Sequence, residues 1–326
     1  MRMKLIAAAL GGLVALSPAA RADDASLPEQ IVDALNKVFG SHPGFRANHA
    51  KGIVTEGSFV PTAAAARLSK ASLFQGAAVP VTVRFSDATG VPNLPDGAGL
   101  ANPHGMAIKF HLADGGEMDI VSNSLKFFPV ANGEDFRDLF LAVSATQLAD
   151  AHPNPIEKFL ATHPAVLAAN ATVATPTSLA RENYFGIDAF VLVDAAGKRQ
   201  PFRFQILPAA GVEHMTTADA AKRAPNFLME ELPARLAKQP VNYQLLAQLA
   251  NAGDPTNDAT KAWPDDRKTV ELGTITLTKA VADSAAAEKA LLFLPTNLTD
   301  GVEESDDPLI DIRAQAYAVS FGRRSQ

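Results

Sequence analysis

The chain has 326 residues, with 35 Asp and Glu against 29 Lys and Arg, a net charge of −6, and no cysteine. Without cysteine there are no disulfides, thiolate zinc sites, iron–sulfur clusters or thiol catalysis. An acidic chain with no run of basic residues is also poorly suited to binding a nucleic-acid phosphate backbone.

In chain order, Arg2 and Lys4 precede the apolar run Leu5 to Leu16, which is followed by the small-x-small site Ala20-Arg21-Ala22. This pattern is that of an export leader covering residues 1–22 and cleaved after Ala22. The 12-residue apolar run is too short for a bilayer, which needs about 20 residues. Losing Arg2, Lys4 and Arg21 with the leader would take the net charge from −6 to about −9. The mature protein is then expected in the periplasm, with no membrane attachment, as a single domain over residues 23–326.

Leu27 to Phe39 has helical periodicity, with Ile31, Ala34, Leu35 and Val38 on one face. Val81 to Ser86 alternates and is β-branched, as a half-buried strand should be. Met106 to Leu112 and Glu117 to Val121 read as strands joined at Asp114-Gly115-Gly116. Ala189 to Val193 and Phe202 to Leu207 form a further hairpin, and Val270 to Thr278 another strand. Helices are expected near Asp135 to Ala145, Ile156 to Ala169, Asn226 to Ala237, Tyr243 to Ala252 and Ala280 to Leu291. Strand-rich blocks separated by helices indicate an α+β fold with an antiparallel sheet or barrel. No G-x-G-x-x-G or G-x-x-x-x-G-K-[ST] motif supports a nucleotide cofactor, no G-x-S-x-G a serine hydrolase, and no H-E-x-x-H a zinc site.

The informative residues are polar ones in apolar surroundings. His49 lies in Phe45-Arg46-Ala47-Asn48-His49-Ala50-Lys51-Gly52, Arg84 sits between Val83 and Phe85, and Asn123 follows Asp119-Ile120-Val121-Ser122. Arg313-Ala-Gln-Ala-Tyr317 puts guanidinium and phenol on one helical face. Taken singly, each is as readily a satisfied structural residue. Their order along the chain is what distinguishes them.

As an ordered set these segments resemble the catalase superfamily, and within it the small catalase-related haem peroxidases. Arg46-Ala-Asn-His49-Ala-Lys-Gly52 is similar to the family's distal histidine motif, Val83-Arg84-Phe85-Ser86 to its arginine strand, and Asp119-Ile-Val-Ser-Asn123 to the segment ending in the distal asparagine. His104-Gly-Met-Ala-Ile-Lys-Phe110 resembles R-G-F-A-x-K-F, and Glu134-Asp135-Phe136 the segment with a phenylalanine at the haem edge. Phe190 to Gly197, Lys261-Ala-Trp-Pro264 and Arg313-x-x-x-Tyr317 continue the likeness, which covers about residues 40 to 324.

The resemblance implies a catalase-like antiparallel β-barrel core with surrounding helices and an iron protoporphyrin, haem b. Tyr317 would be the iron ligand, His49 the acid–base group and Asn123 the peroxide-orienting residue. Arg46, Arg84 and Arg324 would meet the haem propionates, Phe136 the haem edge, and Arg313 the tyrosine. A phenol has an ordinary pKa near 10, so ligation needs the iron and a neighbouring cation to favour the phenolate. The implied activity is a peroxidase that reduces hydrogen peroxide or organic hydroperoxides with a small organic electron donor. Hydrogen peroxide dismutation is the enzymatic alternative, and a haem-binding or haem-carrying protein the alternative of another class. His104 replaces the arginine of R-G-F-A, Asn102 stands where the channel usually has an acid, and no counterpart of the large enzymes' arm and wrapping segment is present. These departures imply a shorter, wider entrance that favours peroxidase over catalase. The oligomeric state is not legible.

Overall fold

The computed structural model describes residues 25–147 and 149–325, so the expected leader at 1–22 lies outside the described residues. The chain begins with α1 (Leu27–Phe39), which Ser26 and Glu29 close with a reciprocal capping box. Then come β1 (Gly52–Pro61), α2 (Ala63–Leu68), β2 (Val79–Ser86), β3 (Gly105–His111) and β4 (Glu117–Asn123). Helices α3 (Gly133–Ala145), α4 (Pro155–Thr162) and α5 (Ala165–Asn170) lead to β5 (Tyr184–Phe185), β6 (Phe190–Val193) and β7 (Arg199–Pro208). The rest is α6 (Thr217–Ala220), α7 (Phe227–Leu236), β8 (Val241–Leu249), β9 (Thr269–Ala280), α8 (Ser284–Ala290), β10 (Val302–Glu304) and α9 (Leu309–Arg324).

The strands are antiparallel in the order β10-β6-β7-β5-β4-β3-β2-β1-β9-β8, and a further pairing of β7 with β8 closes the ring. Eight strands thus form a barrel, with β6 and β10 extending it outside the closure. A closed sheet leaves no unpaired edge and needs an interior filled by side chains. Val83 and Phe85 of β2, Met106, Ile108 and Phe110 of β3, and Tyr243, Leu245 and Ala247 of β8 supply that filling, all fully buried or nearly so. Tyr184 and Tyr243 both donate to the Leu179 carbonyl, at 2.9 and 2.8 Å, which satisfies two phenols inside the barrel. Burial pushes both phenols well above their ordinary range, so they stay neutral.

Three sequence expectations are corrected. Tyr243 to Ala252 is not a helix, because Tyr243, Leu245, Ala247 and Leu249 point inward on β8, laddered to β7 and β9. Leu, Ala and Gln favour helix locally, and two neighbouring strands override them. Ile156 to Ala169 divides into α4 and α5 at Pro164, whose ring cannot continue the helix. Ala280 ends β9, so the helix expected from there starts only at Ser284. The strand β1 was not anticipated, although it supplies one wall of the barrel.

Because successive strand residues face opposite ways, inward Val83 and Phe85 oblige Arg84 and Ser86 to face outward. Register places Ser86 opposite Gly105 and Gly105 opposite Asn123, so these three form one row across β2, β3 and β4. The site is built on this outer wall of the barrel.

Candidate active site on the outer barrel wall

His49 lies in the loop before β1 with φ of 56°, a left-handed conformation found at no other non-glycine among the described residues. Such a backbone costs about 1–3 kcal/mol and persists only where neighbours enforce it. Here the His49 N–H donates to the Ala88 carbonyl (3.2 Å), and Arg84 Nη2 donates to the His49 carbonyl (2.8 Å). The ring nitrogen Nδ1 sits 3.0 Å from Ser86 Oγ. Gly105 makes room for this pair, since a Cβ there would lie 2.7 Å from Ser86 Oγ and 3.1 Å from His49 Nδ1.

Burial first, then the Arg84 charge, lower the His49 imidazole to about 3, with Arg46 and Arg313 adding to the effect and the Asp87 backbone opposing it. His49 is therefore a neutral imidazole at ordinary pH. Its Nδ1 is engaged, and its Nε2 is left for proton chemistry. A hydroxyl both donates and accepts, so Ser86 can partner either tautomer as the proton on Nε2 moves.

Asn123 closes the same row at the end of β4. Its Oδ1 accepts from the Leu125 N–H (2.8 Å), which assigns the amide orientation and leaves Nδ2 as a donor. One residue along each strand, His104 contacts Asp87 at 3.2 Å, both fully buried. The other described histidines are occupied elsewhere. His42 meets the Phe39 carbonyl, His111 meets Thr82, His152 meets Glu157, His163 stacks on Phe159, and His214 meets Glu182.

Helix α9 carries the next pair. Arg313 and Tyr317 share one of its faces, and Arg313 Nε donates to Tyr317 Oη at 3.2 Å. The buried Arg313 also pairs through Nη1 with Asp188, at the start of the β6 hairpin. Burial works against this guanidinium's charge, but Asp188, Tyr317 and Asp307 together outweigh it and raise its pKa. The chain has three tyrosines; two are sealed in the barrel, and Tyr317 alone is half-buried beside an arginine. The Ala47 N–H donates to Ser320 Oγ (3.2 Å), one turn beyond Tyr317, and so ties the His49 loop to α9.

The expected cofactor arginines also converge. Arg46 and Arg84 contact Glu288 at 3.2 and 2.9 Å, and Arg46 and Arg324 both donate to the Leu291 carbonyl, at 2.9 and 2.6 Å. Burial, then Arg84 and Arg324, lower the Arg46 guanidinium to about 8, against the pull of Glu288. Phe136 stacks on Phe128 (5.6 Å) and packs against Phe140 and the α1–α9 apolar cluster. The residues fit a dianionic haem: Arg84 Nε and Arg324 Nε are buried donors without a partner, and Tyr317 already has a cation on its oxygen.

Arg46, Arg84 and Arg324 thus gather at α8 and the Leu291 carbonyl beside the His49 loop, Asn123 shares the row of Ser86, Arg313 and Tyr317 share a face of α9, and Phe136 joins the α1–α9 cluster through packing. Ser86, Asp188, Glu288 and Ser320 were missed. Ser86 was within reach, being two residues beyond Arg84 on the same strand face. The other three act across the fold, and no local spacing announces them.

The comparisons with known proteins agree with this geometry. The family model described as Catalase matches residues 33–324. The chain is 33% identical over 303 residues to a catalase-related peroxidase of Synechococcus elongatus, covering 92% of this chain and 89% of that one. It is 34% identical over 302 residues to a catalase-related peroxidase of Mycolicibacterium paratuberculosis, covering 91% and 95%. A solved bacterial catalase superposes with a TM-score of 0.76 at 23% identity, over 99% of this chain and 67% of that chain. A fungal catalase gives 0.76 at 20%, and there this chain spans 60% of the other's length. A closed barrel, a wall row bearing Ser86 and Asn123 with His49 held against it, and a helix bearing Arg313 and Tyr317 therefore sit in a chain that belongs to the catalase family, whose enzymes are haem-dependent oxidoreductases.

Proposed function

We propose that the protein is an exported, periplasmic haem b peroxidase that reduces hydrogen peroxide or organic hydroperoxides with a small organic donor. The observation that carries this reading is the His49–Ser86 pair on the wall row of Asn123, tied through Ala47 and Ser320 to the helix of Arg313 and Tyr317. The relatives named catalase-related peroxidases support the peroxidase choice. The basic, apolar, small-x-small start of the chain supports export.

When bound, haem supplies the redox-active iron at which the peroxide oxygen–oxygen bond is broken. Tyr317 Oη would hold the iron, and the Arg313 guanidinium donates to that oxygen. Arg84 and Arg324, whose Nε atoms are buried without a partner, would hold the two carboxylates, with Arg46 completing the cationic cluster. Phe136 would pack an edge of the macrocycle.

His49 Nε2 takes the proton from one peroxide oxygen and returns it to the other, which then leaves as water or an alcohol. A neutral imidazole is required for the first step, and burial beside Arg84 keeps it neutral. Ser86 holds the ring plane through both steps, and Asn123 Nδ2 orients the peroxide. A haem carrier would need the tyrosine and arginines but has no use for the His49–Ser86 pair.

The test is an absorption spectrum of the purified, haem-supplemented protein together with turnover of His49→Ala. High-spin ferric haem with tyrosinate bands is expected, and donor oxidation should fall about 100- to 10,000-fold in the variant. No Soret band, or unchanged turnover, would overturn the assignment. Oxygen evolution measured beside donor oxidation separates dismutation from peroxidase activity.

A further inference from the structure

Glu288 is half-buried against the half-buried Arg46 and the buried Arg84. It is placed there by local structure. Asp283 caps α8 by accepting from the Ala286 N–H (2.9 Å), and Ser284 Oγ accepts from the Val54 N–H (3.0 Å). Val54 is the β1 residue registered opposite Arg84. The first turn of α8 is thereby pinned beside Arg84, and the residue one turn later on the same face is Glu288. Its Oε2 lies 2.9 Å from Arg84 Nη2 and 3.2 Å from Arg46 Nη1.

Three cations converge here, and a haem presents only two carboxylates. Glu288 trims the cluster from three charges to two. It also decides which donors are spent: Arg46 gives Nη1 to Glu288 and Nη2 to the Leu291 carbonyl, and Arg84 gives Nη2 to His49 and Glu288. Arg84 Nε and Arg324 Nε remain buried and unpartnered.

We infer that Glu288 is a positioning residue for the cofactor: it binds Arg46 and Arg84 together, matches the pocket's charge to a dianion, and fixes the Arg84 guanidinium for a propionate. This rests on the haem reading above. A neutral side chain of the same shape would leave three like charges unbalanced and Arg84 free to turn away.

The experiment follows haem transfer from the full-length holoprotein to an excess of a haem-scavenging apoprotein, read from the Soret band. Wild type, E288Q and E288D are each loaded with protohaem or its dimethyl ester, which lacks the carboxylates. Protohaem should leave E288Q about 10- to 100-fold faster than wild type, the loss usual when a supporting partner of a metal site is removed. E288D should stay near wild type, and the three proteins should release the dimethyl ester at one rate. Equal or slower protohaem release from E288Q would overturn the inference, as would faster release of both haems, which marks a general structural role. A wild-type chain that takes up no haem would instead overturn the haem reading itself, and this inference with it.

Discussion

Replacing His49 with Gln should change how the folded protein responds to acid. An unfolded histidine takes up its proton near pH 6.5, whereas folding holds His49 at about 3. Between those values the unfolded state binds the extra proton, so stability rises with pH and is lost as pH falls below 6.5. At pH 5 the unfolded imidazole is almost wholly protonated and the folded one almost wholly neutral. The linkage integral from pH 7.5 to 5 is then about 2 kcal/mol, and it is insensitive to whether the folded value is 3 or 4. The assay is urea denaturation of wild type and His49→Gln at pH 7.5 and 5.0. The remaining histidines contribute to both proteins, so the difference between the two pH sensitivities belongs to His49. Wild type should lose about 2 kcal/mol more than the variant over this interval. A difference below about 0.5 kcal/mol, or a variant more acid-sensitive than wild type, would refute the claim that burial and Arg84 keep this imidazole neutral.

Gly105→Ala should put a methyl 2.7 Å from Ser86 Oγ and 3.1 Å from His49 Nδ1, costing about 1–3 kcal/mol in thermal or urea unfolding. It should also lower kcat more than haem content, because the side chains that must yield are the catalytic pair. Ser86→Ala should retain haem and lower donor oxidation, with the loss in kcat rather than in KM. Unchanged kcat would remove Ser86 from the proton path. Asp188→Ala should leave Arg313 buried without its partner, a loss of about 3–5 kcal/mol measured by denaturation. The tyrosinate charge-transfer bands of the holoprotein should shift as Arg313 reorients.

Much of the site was legible because catalytic roles constrain residue type and order along the chain. Arg-x-x-x-Tyr at one helical turn and an arginine in an apolar strand are local patterns, and α9 and β2 realise them as read. The barrel wall was less legible. The segment at Tyr243 reads as helix from its own residues and becomes a strand only because β7 and β9 ladder to both its edges. The short helix bearing Glu288 read as a longer one, since nothing local marks where β9 ends.

The sequence by itself determined the catalase family, the ordered set His49, Arg84, Asn123, Arg313 and Tyr317, and the exclusion of thiol and nucleotide chemistry. Only the tertiary structure decided which groups those residues touch. Ser86 against His49, Asp188 against Arg313 and Glu288 between Arg46 and Arg84 are separated in the chain by 37, 125 and about 200 residues or more. Contacts of that kind are set by strand register and helix docking. Those are fixed by burying the barrel's apolar face, so a polar residue's partner is a consequence of where the hydrophobic residues beside it must go.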